Sequence, residues 1–177
     1  DLQHDAYADF YTRGALTMIT RFKLASVAVA AGLLIAASAE AHHSFAMFDR
    51  NTEIVKSGTV VRWAFNNPHS WLYLNVRNPD GTQTLWSFEG ASPTGLIQRG
   101  ITGDTFKPGA NVTFMYCPLR DGRPGGAIGW ARLDDGNYVS PADGGCNGNK
   151  ENITRWEGLL KQGVTSQANE PKEAKAQ

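Results

Sequence analysis

The turn signal Asn78-Pro79-Asp80-Gly81 constrains the middle of the chain more than any other stretch. Proline presets φ at the second position of a type I turn, and glycine accepts the left-handed conformation that follows. The two flanks, residues 70–77 and 82–89, are rich in aromatic and β-branched residues and alternate in character as strands do. The sequence therefore predicts a β-hairpin whose register is fixed by this turn.

Counting outward from the turn separates the hairpin into two faces. If Asn78 pairs with Thr82, then Leu74 lies opposite Trp86, and a slip of one residue would mix the apolar and polar sets. The residues predicted to face a core are Leu72, Leu74, Val76, Trp86 and Phe88. The residues predicted to share the opposite face are His69, Trp71, Tyr73 and Glu89.

The order of the predicted elements indicates an all-β fold. Ser92-Pro93, followed by Gly100, predicts a short helix between the third and fourth strands. The order β-β-β-α-β-β is that of an OB-fold, a small five-stranded Greek-key barrel, and we expect residues 42–140 to form it. An open β-sandwich of the same strands is the alternative. The predicted strands cover residues 52–65, 70–77, 82–89, 111–119 and 127–133.

The composition changes after Ser140. Residues 141–163 are predicted to form a glycine- and asparagine-rich loop followed by an amphipathic helix over 152–162 that docks on the barrel. Residues 164–177 are polar and alanine-rich, and we expect them to be disordered. The residues predicted to share the apolar face of the helix are Ile153, Trp156, Leu159 and Leu160.

The N-terminal part of the chain has the pattern of a secretory signal peptide over residues 18–41. After Met18 come two basic residues, an apolar run over 24–37 and then small residues. That run is shorter than the roughly 20 residues that a membrane-spanning helix needs. We therefore expect a periplasmic or secreted protein with no membrane span after cleavage. Residues 1–17 are interpreted as translated upstream sequence or a misplaced start, with an ordinary N-terminal helix as the alternative.

Two cleavage sites fit the small-x-small rule of signal peptidases. Cleavage after Ala39 would leave Glu40 first, and cleavage after Ala41 would leave His42 first. We favour the second site because it lies at the boundary with the polar part of the chain.

Charge and cysteine content exclude some classes of function. The chain carries 17 basic and 17 acidic side chains, so its formal net charge is zero and binding to nucleic-acid phosphates is not expected. Cys117 and Cys146 can form a disulfide in an exported protein, and two independent thiols are the alternative. No C-x-x-C motif is present, which disfavours thiol redox catalysis. No recognisable catalytic motif suggests an enzyme either.

The histidines suggest a metal site. Cleavage after Ala41 would place the free amine and the ring of His42 on one metal ion, an arrangement that resembles the histidine brace of some exported copper proteins. His43, His69 and Glu89 could supply further ligands, and nitrogen ligands in tetragonal geometry suit copper(II). Cleavage after Ala39 would leave an amine-x-His arrangement that also binds copper(II). The alternative is a solvated terminus, with His69 capping a turn and Glu89 merely hydrogen-bonded.

Two interpretations of function follow, and they differ in what the outer face of the hairpin does. In the first, the protein is an exported β-barrel binding protein that holds copper(II) or a small ligand. In the second, it is an adaptor that binds another exported protein through Trp71 and Tyr73 and holds no metal. These two side chains could be a ligand platform, or they could be covered by the lead-in or the C-terminal helix.

Several short motifs also resemble, in their order, a family of small exported bacterial proteins known only as a domain of unknown function. The resemblance runs from about Ala41 to Asn137, and Ile101 stands where members often have tryptophan. It implies export and the limits of the domain, and it implies no activity. The motifs are Ala-His-His-Ser-Phe at 41–45, Asn-Pro-His at 67–69, Trp-x-x-Glu at 86–89, Leu-x-x-Arg-Gly at 96–100, Lys-Pro-Gly at 107–109 and Asp-Gly-x-Pro-Gly-Gly at 121–126.

Overall fold

Five strands close into a barrel in the computed structural model, which describes residues 45–171. The turn and glycine signals in the sequence place the strand ends within a few residues of where they are observed. A two-residue strand, β6, extends the sheet at the edge of β5 and was not predicted. The elements are β1 (Ile54–Ala64), β2 (Ser70–Arg77), β3 (Gln83–Gly90), α1 (Pro93–Ile97), β4 (Asn111–Pro118), β5 (Gly125–Arg132), β6 (Tyr138–Val139), α2 (Lys150–Lys161) and a 3-10 turn (Gln167–Asn169).

The closure of the barrel depends on the pairing of β3 with β5. The other neighbours pair antiparallel in the order β3-β2-β1-β4-β5, whereas β3 and β5 run parallel, with Phe88 opposite Gly126. A Cβ atom at Gly126 would overlap the carbonyl oxygen of Cys117, so glycine lets three backbones approach closely here. The predicted five-stranded OB-fold-like barrel is confirmed, and the open sandwich is not formed.

The central hairpin has the predicted register. Leu74 lies opposite Trp86, and the backbone N–H of Asn78 donates to the carbonyl of Thr82 at 2.8 Å. Gly81 has a φ of +86°, the left-handed value for which the turn signal selects glycine. The turn chemistry therefore determined which side chains face the core.

The barrel interior contains the predicted core residues with one exception. Leu72, Leu74 and Phe88 are fully buried, and Val76 is 3% exposed. Trp86 packs against this core but is only half-buried. The rings of Phe88 and Tyr116 cover part of it, and the ammonium group of Lys56 lies 5.3 Å from its ring centroid.

A second apolar cluster joins α2 to the outside of the barrel. Trp156 and Leu159 of α2 are buried against residues of β1, β4 and β5, while Ile153 and Leu160 are partly buried. Asn149 caps the helix, accepting a hydrogen bond from the backbone N–H of Asn152 at 2.8 Å, so α2 begins two residues earlier than predicted. The predicted docking of an amphipathic helix is observed. The cluster consists of Phe48, Val55, Met115, Cys117, Ala127, Trp130, Cys146, Trp156 and Leu159.

Both flanks of the described region are anchored. Phe48 in the lead-in is 2% exposed, and the backbone N–H of Asp49 donates to the carbonyl of Pro118 at 2.8 Å. We expected disorder over the whole tail, but residues 164–171 are ordered in the structure. The backbone N–H of Val55 donates to the carbonyl of Thr165 at 2.8 Å, and the segment pairs with the start of β1. A polar composition did not prevent order, since backbone pairing and a buried ion pair hold this segment.

Several predictions fall on residues that the structure does not describe. These are the segment 1–17, the signal peptide over 18–41, the histidines His42 and His43, and the end of the tail over 172–177. Between residues 45 and 171, no helix is long and apolar enough to cross a membrane.

Candidate metal centre

His69 and Glu89 meet at the end of the central hairpin. His69 immediately precedes β2, and Glu89 is the second-last residue of β3, where it lies opposite Trp71. The ladder brings Nδ1 of His69 to 3.2 Å from Oε1 of Glu89. The register that buries Leu72 and Phe88 therefore also places this imidazole beside this carboxylate.

Asp143 supplies a third group that the sequence did not indicate. Its Oδ2 lies 2.8 Å from Nδ1 of His69. The segment 140–142 is held by Arg99, whose Nη1 donates to the carbonyls of Ser140 and Ala142 at 2.9 and 3.0 Å. The segment was assigned as loop, and no spacing rule links Asp143 to a histidine more than seventy positions earlier.

The disulfide holds the other side of the same segment. Cys117 in β4 and Cys146 are bridged, with Cα atoms 5.4 Å apart, as expected for a bridged pair. Asp143 thus lies between two attachments, the hydrogen bonds from Arg99 and the bond to β4. One sequence signal could have indicated that Asp143 lies near the barrel, namely the position of Cys146 three residues later.

The three side chains differ in exposure. The side chain of Glu89 is 8% exposed, whereas those of His69 and Asp143 are 29% and 32% exposed. Burial, the largest effect, raises the pKa of the Glu89 carboxyl; the His69 imidazole lowers this pKa, and the Asp143 carboxylate raises it. A carboxylate so placed is stabilised when a positive charge lies beside it.

Nδ1 of His69 is buried, and among residues 45–171 it has no hydrogen-bond partner. The two carboxylate oxygens are close enough to accept a hydrogen bond, but no hydrogen bond of acceptable geometry joins either of them to Nδ1. The two distances would allow a hydrogen bond, but a hydrogen bond also requires a suitable angle at the donor. The geometry leaves the lone pair of Nδ1 as an available ligand.

The spacing of the three groups fits coordination of one cation. Nδ1 of His69, a carboxylate oxygen of Glu89 and one of Asp143 all lie within 4.8 Å of one another. Metal bonds of about 2.1 Å place neighbouring ligand atoms roughly 3.0–3.4 Å apart in octahedral or tetrahedral geometry. The two measured N–O separations, 2.8 and 3.2 Å, are therefore close to the separations of ligands on one metal.

The lead-in ends beside this centre. A Cβ atom at Gly144 would lie 3.7 Å from the ring of Phe45, and one at Gly145 would lie 3.2 Å from it. The ring of Phe45 thus packs on the two residues that follow Asp143. The predicted ligands His42 and His43 precede Phe45 and lie outside the described residues.

Trp71 and Tyr73 point outward from β2, as the hairpin faces predicted, and both are half-buried. The guanidinium of Arg62 lies 5.2 Å from the ring centroid of Tyr73. The cluster beneath α2 contains no residue of β2 or β3, so α2 covers a different part of the barrel.

Comparison with known proteins gives a family and no activity. The model of a family of unknown function (DUF6152) matches residues 30–128, more than half of the chain. This range includes His69, Glu89 and Cys117, and it ends before Asp143 and Cys146. No curated protein and no solved structure matches the chain. The chain therefore belongs to the DUF6152 family, whose function is unknown.

Proposed function

We propose that this protein is an exported binding protein that holds copper(II) between His69, Glu89 and Asp143, with a nitrogen-rich mature terminus completing the site. The observation that carries the proposal is the environment of Nδ1 of His69. This atom is buried, lacks an aligned hydrogen bond within the described chain, and lies 3.2 and 2.8 Å from two carboxylate oxygens.

A simple ion pair accounts less well for this geometry. A protonated imidazole between two carboxylates would direct its N–H at one of them, because a charge-assisted hydrogen bond is the strongest contact available to it. It would also compensate only one of the two negative charges, and the side chain of Glu89 is 8% exposed. A divalent cation compensates both carboxylates and accepts the nitrogen lone pair.

The predicted mature terminus lies only a few residues along the chain from Phe45. His43 is two residues before Phe45 in the sequence, and an extended chain advances about 3.3–3.6 Å per residue. The ring of Phe45 packs on Gly144, next to Asp143. The experiment below tests whether a terminus at His42 adds an amine and one or two imidazoles to the cluster.

The completed ligand set favours copper(II) over harder ions. One imidazole and two carboxylates alone would suit several divalent metals, whereas added amine and imidazole nitrogens suit the tetragonal geometry of copper(II). Affinity should fall at low pH, because protons compete with the metal for imidazole nitrogens. In the proposed site, the terminus is therefore the part that selects copper(II) over other divalent metals.

The test uses protein secreted from its own signal, with the mature N-terminus established by intact mass. Copper(II) and zinc(II) are titrated into this protein and into His69→Ala and Asp143→Asn variants. A further variant carries one extra residue before His42. Asp104→Asn is the matched control, since Asp104 is an exposed carboxylate that is not part of the cluster.

We expect His69→Ala and Asp143→Asn each to weaken copper binding at least about tenfold, the loss of one ligand in a site of this kind. The extended terminus should weaken copper binding more than zinc binding. Asp104→Asn should bind like the wild type. If all variants bind alike, the site does not exist.

That negative result would favour the adaptor interpretation. The structure offers one observation for it: Leu85, which faces outward across the ladder from Asn75, is 53% exposed on the sheet face that also carries Tyr73. An aromatic and aliphatic patch of this kind suits a protein partner.

A further inference from the structure

We propose a second binding site, next to the metal centre, in which a cavity lined by three arginines holds a tetrahedral oxyanion. The cavity has a volume of about 870 Å³, within the range of small-molecule sites. Arg50, Arg99 and Arg120 line it, and among residues 45–171 no aspartate or glutamate does. Its ligand class is therefore a phosphate or sulfate group.

The positive charge of these arginines is poorly compensated. Arg99 donates to the carbonyls of Gly95, Ser140 and Ala142, which are neutral acceptors and leave its charge in place. Arg120 donates to the carbonyl of Ala46 at 3.1 Å and reaches Asp49 only at 4.0 Å. Within the described chain, Arg50 forms no ion pair.

Neutral donors add to the charge. The asparagines Asn51, Asn147 and Asn149 line the same cavity, and their amide groups can donate to an oxyanion. Asn149 is also the N-cap of α2, a helix of 12 residues, so the positive end of that helix lies at the cavity wall. Guanidinium groups and a helix N-terminus together are the combination that proteins use for phosphate.

The cavity is large enough for an oxyanion that is attached to a larger molecule, and it also admits a free ion. A cavity of about 870 Å³ is several times larger than inorganic phosphate needs, whereas a phosphate monoester would fill more of it. The shared chemistry is the tetrahedral, multiply charged oxyanion. Comparing the free ion with an ester separates the two sources.

The experiment follows backbone amide shifts of the metal-free protein by NMR during titration with inorganic phosphate and, separately, with glycerol phosphate at constant ionic strength. Arg50→Gln is the test variant, because Arg50 forms no ion pair within residues 45–171 and its replacement should leave the fold intact. Arg77→Gln is the matched control, an exposed arginine at the end of β2 that does not line the cavity.

We expect saturable shifts at Gly144, Gly148 and Asn149. Arg50→Gln should weaken binding about tenfold, the effect of losing a charge-assisted contact, and Arg77→Gln should leave it unchanged. Tighter binding of the ester identifies a phosphorylated molecule as the ligand, and equal or tighter binding of the free ion identifies the ion.

Three results would overturn the proposal. Shifts that do not saturate, or equal weakening by Arg50→Gln and Arg77→Gln, would show only general charge attraction. Binding that appears only after zinc(II), a diamagnetic ion, is added, with shifts at His69, would assign the anion to the metal centre. Because the metal-free protein is used, failure of this site leaves the metal titration unaffected, and failure of the metal titration leaves this site unaffected.

Discussion

Replacing Glu53 by glutamine should destabilise the protein severely, although the change is nearly isosteric. Glu53 is 7% exposed at the start of the barrel and accepts hydrogen bonds from three residues of α2. Asn152 donates at 2.9 and 3.0 Å, and Arg155 and the indole of Trp156 each donate at 2.8 Å. One carboxylate thus satisfies the buried polar groups on the inner face of the helix.

The magnitude follows from what remains after the change. In Glu53→Gln the carbonyl oxygen can keep the place of Oε2, but the NH₂ group in the place of Oε1 faces the donating amide of Asn152. The partly buried charge of Arg155 then retains only Glu170 as a charged partner. Removing one partner of a buried pair costs about 3–5 kcal/mol. Since domains are stable by about 5–15 kcal/mol, this is a large share of the total.

Urea denaturation measures the effect. With a slope of about 2 kcal/mol per molar urea, a loss of 4 kcal/mol lowers the midpoint by roughly 2 M. The control Asp104→Asn should change the free energy of unfolding by less than about 0.5 kcal/mol. A double-mutant cycle of Glu53→Gln with Arg155→Met should give a coupling energy of about 0.5–3 kcal/mol.

A loss below about 1 kcal/mol for Glu53→Gln would refute the reasoning. It would mean that the cost of removing these groups from water already cancels their mutual attraction. The helix would then be held by the apolar contacts of Trp156 and Leu159 alone.

Three further predictions concern the barrel. Leu74→Ala should cost roughly 2–5 kcal/mol because Leu74 is fully buried, and Tyr73→Ala should cost clearly less; equal losses in urea denaturation would show that the outer face is buried too. Thiol counting in denaturant without reductant should find no free thiol, and Cys146→Ala should cost roughly 3–4 kcal/mol for the sequence separation of 29 between Cys117 and Cys146; two free thiols would contradict this. Burial raises the pKa of Tyr116 to about 12, so its phenolate should appear in ultraviolet titration after those of exposed tyrosines. The stability due to this shift is complete below pH 10 and should be lost as pH rises toward 12.

The barrel was predictable because its determinants are local. The Asn78–Gly81 turn fixes one register, and the Ser92-Pro93 cap begins the helix that separates the third and fourth strands. Once β1 to β5 are ordered in this way, closure follows from burial of one face of each strand. Trp86 and the segment 164–171 were less predictable, because their environment depends on parts of the chain distant in sequence.

The candidate site was predictable in part for the same reason. His69 and Glu89 are brought together by the hairpin ladder, which the sequence specifies, and they lie 3.2 Å apart. Asp143 depends on tertiary contacts, the hydrogen bonds from Arg99 and the bridge to Cys117. The bridge was expected from the cysteine pair, but no periodicity or spacing indicates the hydrogen bonds from Arg99 or the place of Asp143 beside His69.

The way in which Asp143 is held bears on what the site can do. Two of the proposed ligands, His69 and Glu89, lie at or next to strand ends of the closed barrel, so their separation depends on the barrel itself. The third belongs to a segment fixed at 140–142 by Arg99 and at 146 by the disulfide, with no regular element of its own. Metal bonds of about 2.1 Å would require a shift of only a few tenths of an ångström, and this segment lies outside the barrel strands. In the proposed site, two ligands set by the barrel and one carried by a loop would let a preformed scaffold close on an ion.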